Sequence, residues 1–399
     1  MSSVAILFID SFAFGDALHQ IGRNTPFFPS CKYISYVGGN FPDTIVSGPA
    51  GEIALEFGSS GFNQHTLTKV LGTLTTVCLG FLYRPLGIAA TGVSLCRYEA
   101  GGTTIVNPGG FNNGGNANTS LMLQQNPDGT LSLYSGGLGI PGNPGTLLYT
   151  TTYTVLVNQW LYIELLIDTT AGSWSLYIDD VFIQSQTGLT LPGPTTQFSL
   201  QSFSFESHDV ANLYATNGER LGPCRAIGFP PVLASTNQWN PLNPPNLSQI
   251  SEFGNRPFPA NTPDDNLSYI DAQAVGLTDF YGFTAPACFG RILAVALNAD
   301  GSAQFGSPSI DFLIKILGTT YPSGNTGAYA GGYSIQQGLT QLNPATGTFW
   351  TDADIGNALF GFSLAGGGDL RITQFFGEKL VSLRSVPFDC GKGNRSYSN

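Results

Sequence analysis

The chain has 399 residues, a formal net charge of −11 and only 10% charged residues, together with 51 glycines and 25 prolines. This composition favours many short strands joined by turns over long helices, and the apolar and aromatic content argues against disorder. The sequence contains no cluster of Lys and Arg, which excludes the electrostatic footprint of a nucleic-acid-binding protein. It also contains no apolar stretch long enough to span a membrane as a helix.

The first half of the chain is predicted to form a series of β-strands. Residues 4–14 open the series, residues 66–84 form a long β-rich segment, and residues 198–205 alternate again between apolar and polar side chains. Residues 126–129 contain Pro-Asp-Gly, which is typical of a tight hairpin turn. We therefore predict an antiparallel β-sandwich over residues 1–228.

An uncharged segment rich in asparagine and glycine interrupts this series at residues 107–120. We predict an exposed loop insertion there. Loops on rigid sandwiches often carry binding residues. Asn112 and Asn113 are therefore candidate interaction residues.

The clearest strand pattern spans residues 160–184. In its first strand, one face carries Leu161, Ile163, Leu165 and Ile167, and the other face carries Trp160, Tyr162 and Glu164. Trp174 is expected in the core of a second strand, and Asp179 and Asp180 are expected to form a tight turn before a third. A single meander cannot bury its apolar face alone, so a second sheet must pack against it.

A proline-rich segment at residues 229–265 separates this region from a second one. We predict that the segment is a linker or an extended arm, that residues 266–385 form a second, smaller all-β sandwich, and that residues 386–399 form a polar tail. Trp239 in the arm and Trp350 in the second domain are expected to be packing or interface anchors, and both are candidate interaction residues.

Two local signals lie within the second domain. Residues 298–301, Asn-Ala-Asp-Gly, are predicted to form another hairpin turn. Residues 351–359 begin with a Thr/Asp cap and have short helical spacing, and they predict a short helix.

Glycoside hydrolysis on this kind of fold requires paired carboxylates. Glu164 and Asp168 share a strand face but lie about 13 Å apart along it, which is too far for either glycosidase geometry. Asp179 and Asp180 point to opposite sides of a turn. We interpret these acids as strand-edge and turn residues, and we reject hydrolysis. The three histidines are scattered, and none lies near a nucleophile motif, so the chain is predicted not to be an enzyme.

Metal ligation also has weak support. Asp209 with Asn212, or Asp264 with Asp265 and Asn266, could contribute to a calcium site, but turn formation explains each residue. The cysteines have no zinc or redox spacing, and we interpret them as buried free thiols, with disulfides as the alternative in an extracellular particle. They are Cys31, Cys78, Cys96, Cys224, Cys288 and Cys390. We predict no metal and no cofactor.

Two stretches resemble known families. Residues 157–180, with NQWLYIELLID followed by GSWSLYIDDV, resemble the signature hairpin of concanavalin A-like lectin/glucanase sandwiches of the laminin-G type, although Asp180 stands where glycine is more usual. The segments DDNLSYIDA, TDFYGF and NPATGTFWTDADIGNALFGF resemble a module that often follows this sandwich in bacteriophage structural proteins.

The resemblance implies a non-enzymatic bacteriophage virion structural protein on the particle surface, either a capsid decoration or a tail or baseplate component. Its expected partners are other virion proteins and further copies of itself, as in a trimer, with no nucleic acid and no membrane insertion. The N-terminus has no basic leader before Asp10, so synthesis in the host cytoplasm and assembly into the virion are expected. The alternative is a carbohydrate-binding adhesin that recognises host surface glycans.

Overall fold

The computed structural model describes residues 5–12, 35–37, 44–49, 53–57, 64–88, 93–100, 119–136, 145–203, 207–242, 269–329 and 331–383. The candidate residues Asn112 and Asn113, the acidic segment 264–266 and the predicted tail 386–399 lie outside these ranges. None of the helices in the described ranges has the length and apolarity that a membrane span requires.

The described part of the first half consists of strands. In chain order they are β1 (Ile6–Asp10), β2 (Ser35–Val37), β3 (Thr44–Ser47), β4 (Ile53–Phe57), β5 (Gln64–Leu74), β6 (Thr76–Pro85), β7 (Val93–Ala100), β8 (Thr119–Gln125), β9 (Thr130–Ser135), β10 (Thr146–Thr154), β11 (Leu161–Asp168), β12 (Ser173–Ile178), β13 (Val181–Gln186), β14 (Thr195–Phe203) and β15 (His208–Thr216).

These strands form two antiparallel sheets that pack face to face, as predicted. Sheet 1 has the order β10-β9-β8-β7-β14-β5-β2, and sheet 2 has the order β13-β12-β11-β6-β15-β4-β3 with β1 added to β15. The core between them contains Leu161, Ile163, Leu165 and Ile167 from the predicted apolar face of β11. Trp174 lies in the same core and is 1% exposed, which confirms its expected position.

The two hairpin turns predicted in this sandwich are present. β8 and β9 are joined at residues 126–129, where Gly129 has φ +80° and its amide donates to the carbonyl of Asn126. β12 and β13 are joined by Asp179 and Asp180, with φ of +51° and +64°. Two successive positive φ angles define the turn that matches strand twist, and Asp is one of the few residues that tolerate them.

The second half contains another eleven described strands and one described helix. They are β16 (Cys224–Phe229), β17 (Pro231–Asn237), β18 (Asn240–Leu242), β19 (Tyr269–Ala272), β20 (Thr278–Phe283), β21 (Arg291–Gly306), β22 (Ile310–Ile316), β23 (Thr319–Asn325), β24 (Ser334–Thr340), α1 (Asp352–Asn357), β25 (Leu359–Leu364) and β26 (Gly368–Ser382). Sheet 3 has the order β18-β19-β26-β21-β24 with β16 added to β26, and sheet 4 has the order β17-β20-β25-β22-β23. An aromatic core fills the space between them.

The proline-rich segment differs from the predicted linker in its first part. β16 crosses the predicted boundary at residue 228 and pairs with β26, while β17 pairs with β20 and β18 pairs with β19. β17 and β18 are edge strands, which is where proline is tolerated because one side of the strand needs no ladder donor. Residues 231–242 therefore belong to the second sandwich, and residues 243–265 lie outside the described ranges.

The prediction of a hairpin turn at residues 298–301 is wrong. These residues lie in the middle of β21, which pairs with β24 on one side and β26 on the other. The register shifts between Asp300 and Gly301, so the Asp-Gly pair forms a bulge that bends a long strand. A bulge and a turn use the same residue types, and only the partner strands distinguish them.

The predicted short helix is confirmed as α1. Thr351 is its N-cap, and the Thr351 hydroxyl accepts from the Asp354 amide while the Asp354 carboxylate accepts from the Thr351 amide. This capping box satisfies donors that a six-residue helix would otherwise leave free. Ile355 anchors the helix in the core of the second sandwich.

The two sandwiches stack on each other, so that the sheets lie in the order 1, 2, 3 and 4. The outer face of sheet 2 contributes Trp160, Tyr162 and Tyr214, which pack against Ala294, Leu380 and other residues of sheet 3. Trp160 and Tyr162, on the opposite face of β11 from its predicted apolar face, are therefore buried against the other half of the chain.

Candidate functional site

A buried polar network crosses the junction between sheets 2 and 3. The Glu378 carboxylate on β26 is 0% exposed. It accepts hydrogen bonds from the Ser11 amide at 2.8 Å and the Ser11 hydroxyl at 2.7 Å, just beyond β1. The side-chain amides of Asn298 and Gln337 donate to its other oxygen at 3.1 and 3.3 Å. One side chain thus ties the N-terminal strand of the first sandwich to three strands of the second.

Glu164 forms a second network at this junction. Its carboxylate accepts from the Tyr214 hydroxyl at 2.5 Å, the Gly222 amide at 2.8 Å and the Arg220 guanidinium at 2.7 Å. Gly80 lies opposite Glu164 on β6, where any Cβ would collide with the Tyr214 ring. The interpretation of Glu164 as a solvated edge residue is wrong, because its strand face is covered by the second sandwich.

The charge of Glu164 is balanced within this network. Burial raises the pKa of Glu164, and the Arg220 guanidinium, the Tyr214 hydroxyl and the Gly222 amide oppose that rise. Arg220 also pairs with Asp180 at 2.5 Å and lies over the Tyr177 ring at 4.1 Å. The Glu164–Arg220 ion pair is therefore fixed by Tyr214 and Gly222 at the carboxylate and by Asp180 and the Tyr177 ring at the guanidinium.

The remaining carboxylates considered for hydrolysis also have structural partners. Asp168 accepts from the amides of Thr170 and Ala171 and shapes the turn after β11. Asp179 accepts from the Tyr162 amide. Each acid holds the backbone, which agrees with the interpretation of Asp179 as a turn residue and places Asp168, interpreted as a strand-edge residue, at the turn that ends β11.

The two tryptophans proposed as interaction residues lie in the core of the second sandwich. Trp239 is 2% exposed, donates from Nε1 to the Leu277 carbonyl at 3.0 Å and meets the Phe362 ring edge to face. Trp350 is also 2% exposed and lies against Phe360. Both are packing residues, and their burial leaves no surface for a partner. Asp279 fixes Trp239 by accepting from its backbone amide.

The residues considered for calcium are used elsewhere. Asp209 forms an ion pair with Arg84, and burial raises the pKa of Asp209 to about 6. Asn212 accepts from the Ala226 amide across the junction. The described ranges hold no group of three or more His, Cys, Asp and Glu side chains that could bind a metal. Within the same ranges Cys78, Cys96 and Cys224 are buried free thiols, as predicted, and Cys288 is a partly exposed one.

The outer face of sheet 1 carries a row of amide and hydroxyl side chains that the sequence analysis did not identify. Gln124 on β8 lies opposite Ser132 on β9, and Ser132 lies opposite Thr150 on β10. The side-chain amide of Asn126 donates to the Ser132 hydroxyl at 2.7 Å, and the Ser132 and Thr150 hydroxyls are 2.8 Å apart. We call Gln124, Asn126, Ser132 and Thr150 the polar row.

The polar row is incompletely satisfied at one end and open at the other. Gln124 is 7% exposed, and its Oε1 has no hydrogen-bond partner among the described residues. Its Nε2 makes only a long contact of 3.4 Å to the Asn126 side-chain oxygen. Thr150, by contrast, is exposed to solvent. The row therefore runs from a buried acceptor to an accessible hydroxyl.

An apolar row runs beside the polar row on the same face. Tyr134 on β9 lies between Met122 on β8 and Leu147 on β10. Tyr134 is partly exposed, and Leu147 is 54% exposed. Met122 is buried, so the accessible surface offers the Tyr134 ring and the Leu147 side chain next to the Thr150 hydroxyl. The period-two pattern of each strand contained this signal, but only the pairing of β8, β9 and β10 brings the residues together.

Comparison with known proteins gives no family. No protein-family model matches the chain, and no curated protein matches it. A carbohydrate esterase of the Shiga toxin-encoding bacteriophage phi24B matches at 14% identity and TM-score 0.36, over 54% of this chain and 100% of that one. A galectin-like protein of unknown function from Bacillus subtilis matches at 14% identity and TM-score 0.32, over 46% and 89%.

A sialidase matches at 10% identity and TM-score 0.33, over 45% of this chain, which spans only 16% of the sialidase. The carbohydrate recognition domain of Emp46p matches at 9% identity and TM-score 0.34, over 45% of this chain and 87% of that domain. These identities and TM-scores do not assign the chain to a family or to an activity.

Proposed function

We propose that the chain is a non-enzymatic glycan-binding protein that recognises carbohydrate on the outer face of sheet 1. The observation that carries the proposal is the polar row, whose buried acceptor Gln124 Oε1 lacks a donor and whose outer end, Thr150, is open. A sugar hydroxyl both donates and accepts, so it complements amide and hydroxyl side chains of this kind. This is the alternative function of the sequence analysis, and the polar row is the feature of the described residues that supports it.

The apolar row supplies the second half of a sugar site. A pyranose has polar hydroxyls at its edge and apolar C–H groups on its face. Tyr134 and Leu147 can cover the C–H face while Thr150, the exposed end of the polar row, binds a hydroxyl. Specificity would then come from few directed hydrogen bonds and affinity from the covered area.

Binding is expected on a glycan array probed with the purified full chain, and two variants test its location. Thr150→Ala removes the exposed hydroxyl, and Gln124→Met removes the buried amide at nearly constant volume. Thr150→Ala is expected to weaken binding of the array hit by about five- to tenfold, the effect of one hydrogen bond between neutral groups, and Gln124→Met is expected to weaken it less, because the buried Gln124 amide acts through Asn126. Isothermal titration calorimetry with that oligosaccharide measures the change.

The matched control is Thr346→Ala. Thr346 and Thr348 also form an exposed hydroxyl pair at 2.8 Å, but in the second sandwich. This variant is expected to bind like the unmodified chain. The proposal fails if the array shows no binding, or if Thr150→Ala and Gln124→Met bind as tightly as Thr346→Ala.

A structural role in a virion is the second candidate, and exposed apolar side chains favour it. Phe289 is 86% exposed and Phe305 is 79% exposed, while Val181 and Phe182 are 52% and 53% exposed on the edge strand β13. Exposed apolar groups and open sheet edges are sites where other chains pack. In this proposal the chain is made in the host cytoplasm and assembles with capsid or tail proteins. Quantitative mass spectrometry of intact particles tests it, because a structural component is present at a fixed, high copy number.

A further inference from the structure

We propose that two copies of this chain associate by inserting the Leu317 hairpin tip of each copy into an apolar cleft of the other. The tip is the turn between β22 and β23. The cleft lies where the two sandwiches meet, and its apolar lining consists of Ile6, Leu221, Leu293, Leu342 and Phe349. The inference is independent of the glycan site.

The turn at the tip carries an unusual residue, a leucine, at its first central position. Leu317 has φ +49° and Gly318 has φ +86°, so both central residues adopt the left-handed conformation. Asn or Asp normally occupies the first of these positions, because a branched apolar residue is strained there and gains nothing from the local backbone. Leu317 is also 99% exposed. A strained, fully exposed leucine has no role within its own chain that explains it, and strain of this kind points to a contact outside the chain.

The cleft has an apolar lining that suits a leucine side chain. Its volume is about 330 Å³, and Leu342 and Phe349 at its mouth are 42% and 38% exposed. The Arg291 guanidinium, which also lines the cleft, lies over the Phe349 ring with its Cζ 3.6 Å from the ring centroid. An apolar side chain that enters the cleft therefore gains contact area without displacing a buried polar group.

The positions of tip and cleft allow a reciprocal contact. Lys315, two residues before Leu317, pairs with Leu359, which follows α1. Phe349 lies just before α1 on the loop that lines the cleft. Both features are therefore at the end of the second sandwich that carries α1, and a two-fold axis near that end lets each copy supply one tip and one cleft.

The charges at this end are also complementary. The tip carries Lys315, whereas the cleft loop leads into the first turn of α1, where Asp352 is already paired with Lys379 but the Asp354 carboxylate accepts only from Thr351 and keeps its negative charge. Insertion brings Lys315 of one copy towards the acidic turn of the other. The association is expected to weaken with salt for this reason.

Sedimentation velocity of the full chain over a concentration series tests the inference. Two short apolar insertions are expected to give a weak dimer with a dissociation constant on the order of 10–100 µM. Leu317→Asn is expected to weaken the dimer at least tenfold without lowering the melting temperature, since Asn suits the left-handed turn. Leu342→Asn is expected to weaken it similarly. Val275→Asn is the control, because Val275 is 62% exposed but lies in the turn before β20.

A photo-reactive amino acid at position 317 then identifies the partner surface. Cross-links between copies are expected to map to residues 341–349 and 291–293. The inference is overturned if the chain stays monomeric throughout the concentration series, if Leu317→Asn dimerises like Val275→Asn, or if the cross-links map to a different surface.

Discussion

Glu378→Ala is expected to lower the free energy of unfolding by about 3–5 kcal/mol, since each buried donor that it leaves unsatisfied costs about 1–3 kcal/mol. The reason is that Ser11, Asn298 and Gln337 all direct donors at this carboxylate within the closed junction. Alanine leaves these donors buried and without an acceptor, and it also creates a cavity. Urea unfolding monitored by fluorescence measures the change.

Glu219→Ala is the matched control for this substitution. Glu219 is an exposed glutamate next to the same junction, so its replacement is expected to change stability by less than about 0.5 kcal/mol. If Glu378→Ala costs no more than Glu219→Ala, the junction network does not hold the two sandwiches together.

Arg220→Ala is expected to destabilise the chain by about 3 kcal/mol at neutral pH, because it leaves the Glu164 charge buried beside only neutral donors. Adding Glu164→Gln to this variant is expected to restore about 1–2 kcal/mol, since the neutral amide no longer needs the cation. No recovery in the double variant would show that Arg220 acts through its packing on Tyr177 instead.

The loss in Arg220→Ala is also expected to depend on pH. The pKa of Glu164 is raised in the folded state, and removing the guanidinium raises it further. A carboxyl with a raised folded pKa is more easily protonated in the folded than in the unfolded chain. Stability is therefore highest below the ordinary pKa of 4.5 and falls as the pH rises through the folded value. The penalty should be small near pH 4 and should grow as the pH rises towards the folded pKa of Glu164, and a penalty independent of pH would contradict this assignment.

Features that depend on neighbouring residues could be predicted from the sequence. The Asp179–Asp180 turn, the turn at residues 126–129 and the Thr351 cap each follow from side chains acting on their own backbone. The alternation along β11 correctly separated Leu161 from Tyr162 because strand geometry has a fixed period.

Features that depend on distant strands could not be predicted in this way. Residues 298–301 have the composition of a turn, yet β24 and β26 hold them inside a long strand. Glu164 has the pattern of an exposed strand residue, but sheet 3 covers its face. Trp239 lies in a segment with the composition of a linker, but the pairing of β17 and β18 on either side of it places its side chain in the core of the second sandwich. In each case tertiary pairing decided between two structures that suit the same local sequence.

The polar row shows the same limit at the candidate site. Gln124, Ser132 and Thr150 come from three strands, and each is unremarkable within its own segment. Register alone places them in one line. The loop residues Asn112 and Asn113 remain candidates by their composition, and they lie outside the described ranges.

Hydrogen–deuterium exchange of the full chain, with and without the oligosaccharide selected on the glycan array, tests the central proposal most directly. Glycan binding on the outer face of sheet 1 predicts slower exchange in β8, β9 and β10, between Thr119 and Thr154, and unchanged exchange in the second sandwich. Protection confined to the second sandwich, or no protection at a saturating oligosaccharide concentration, would contradict it.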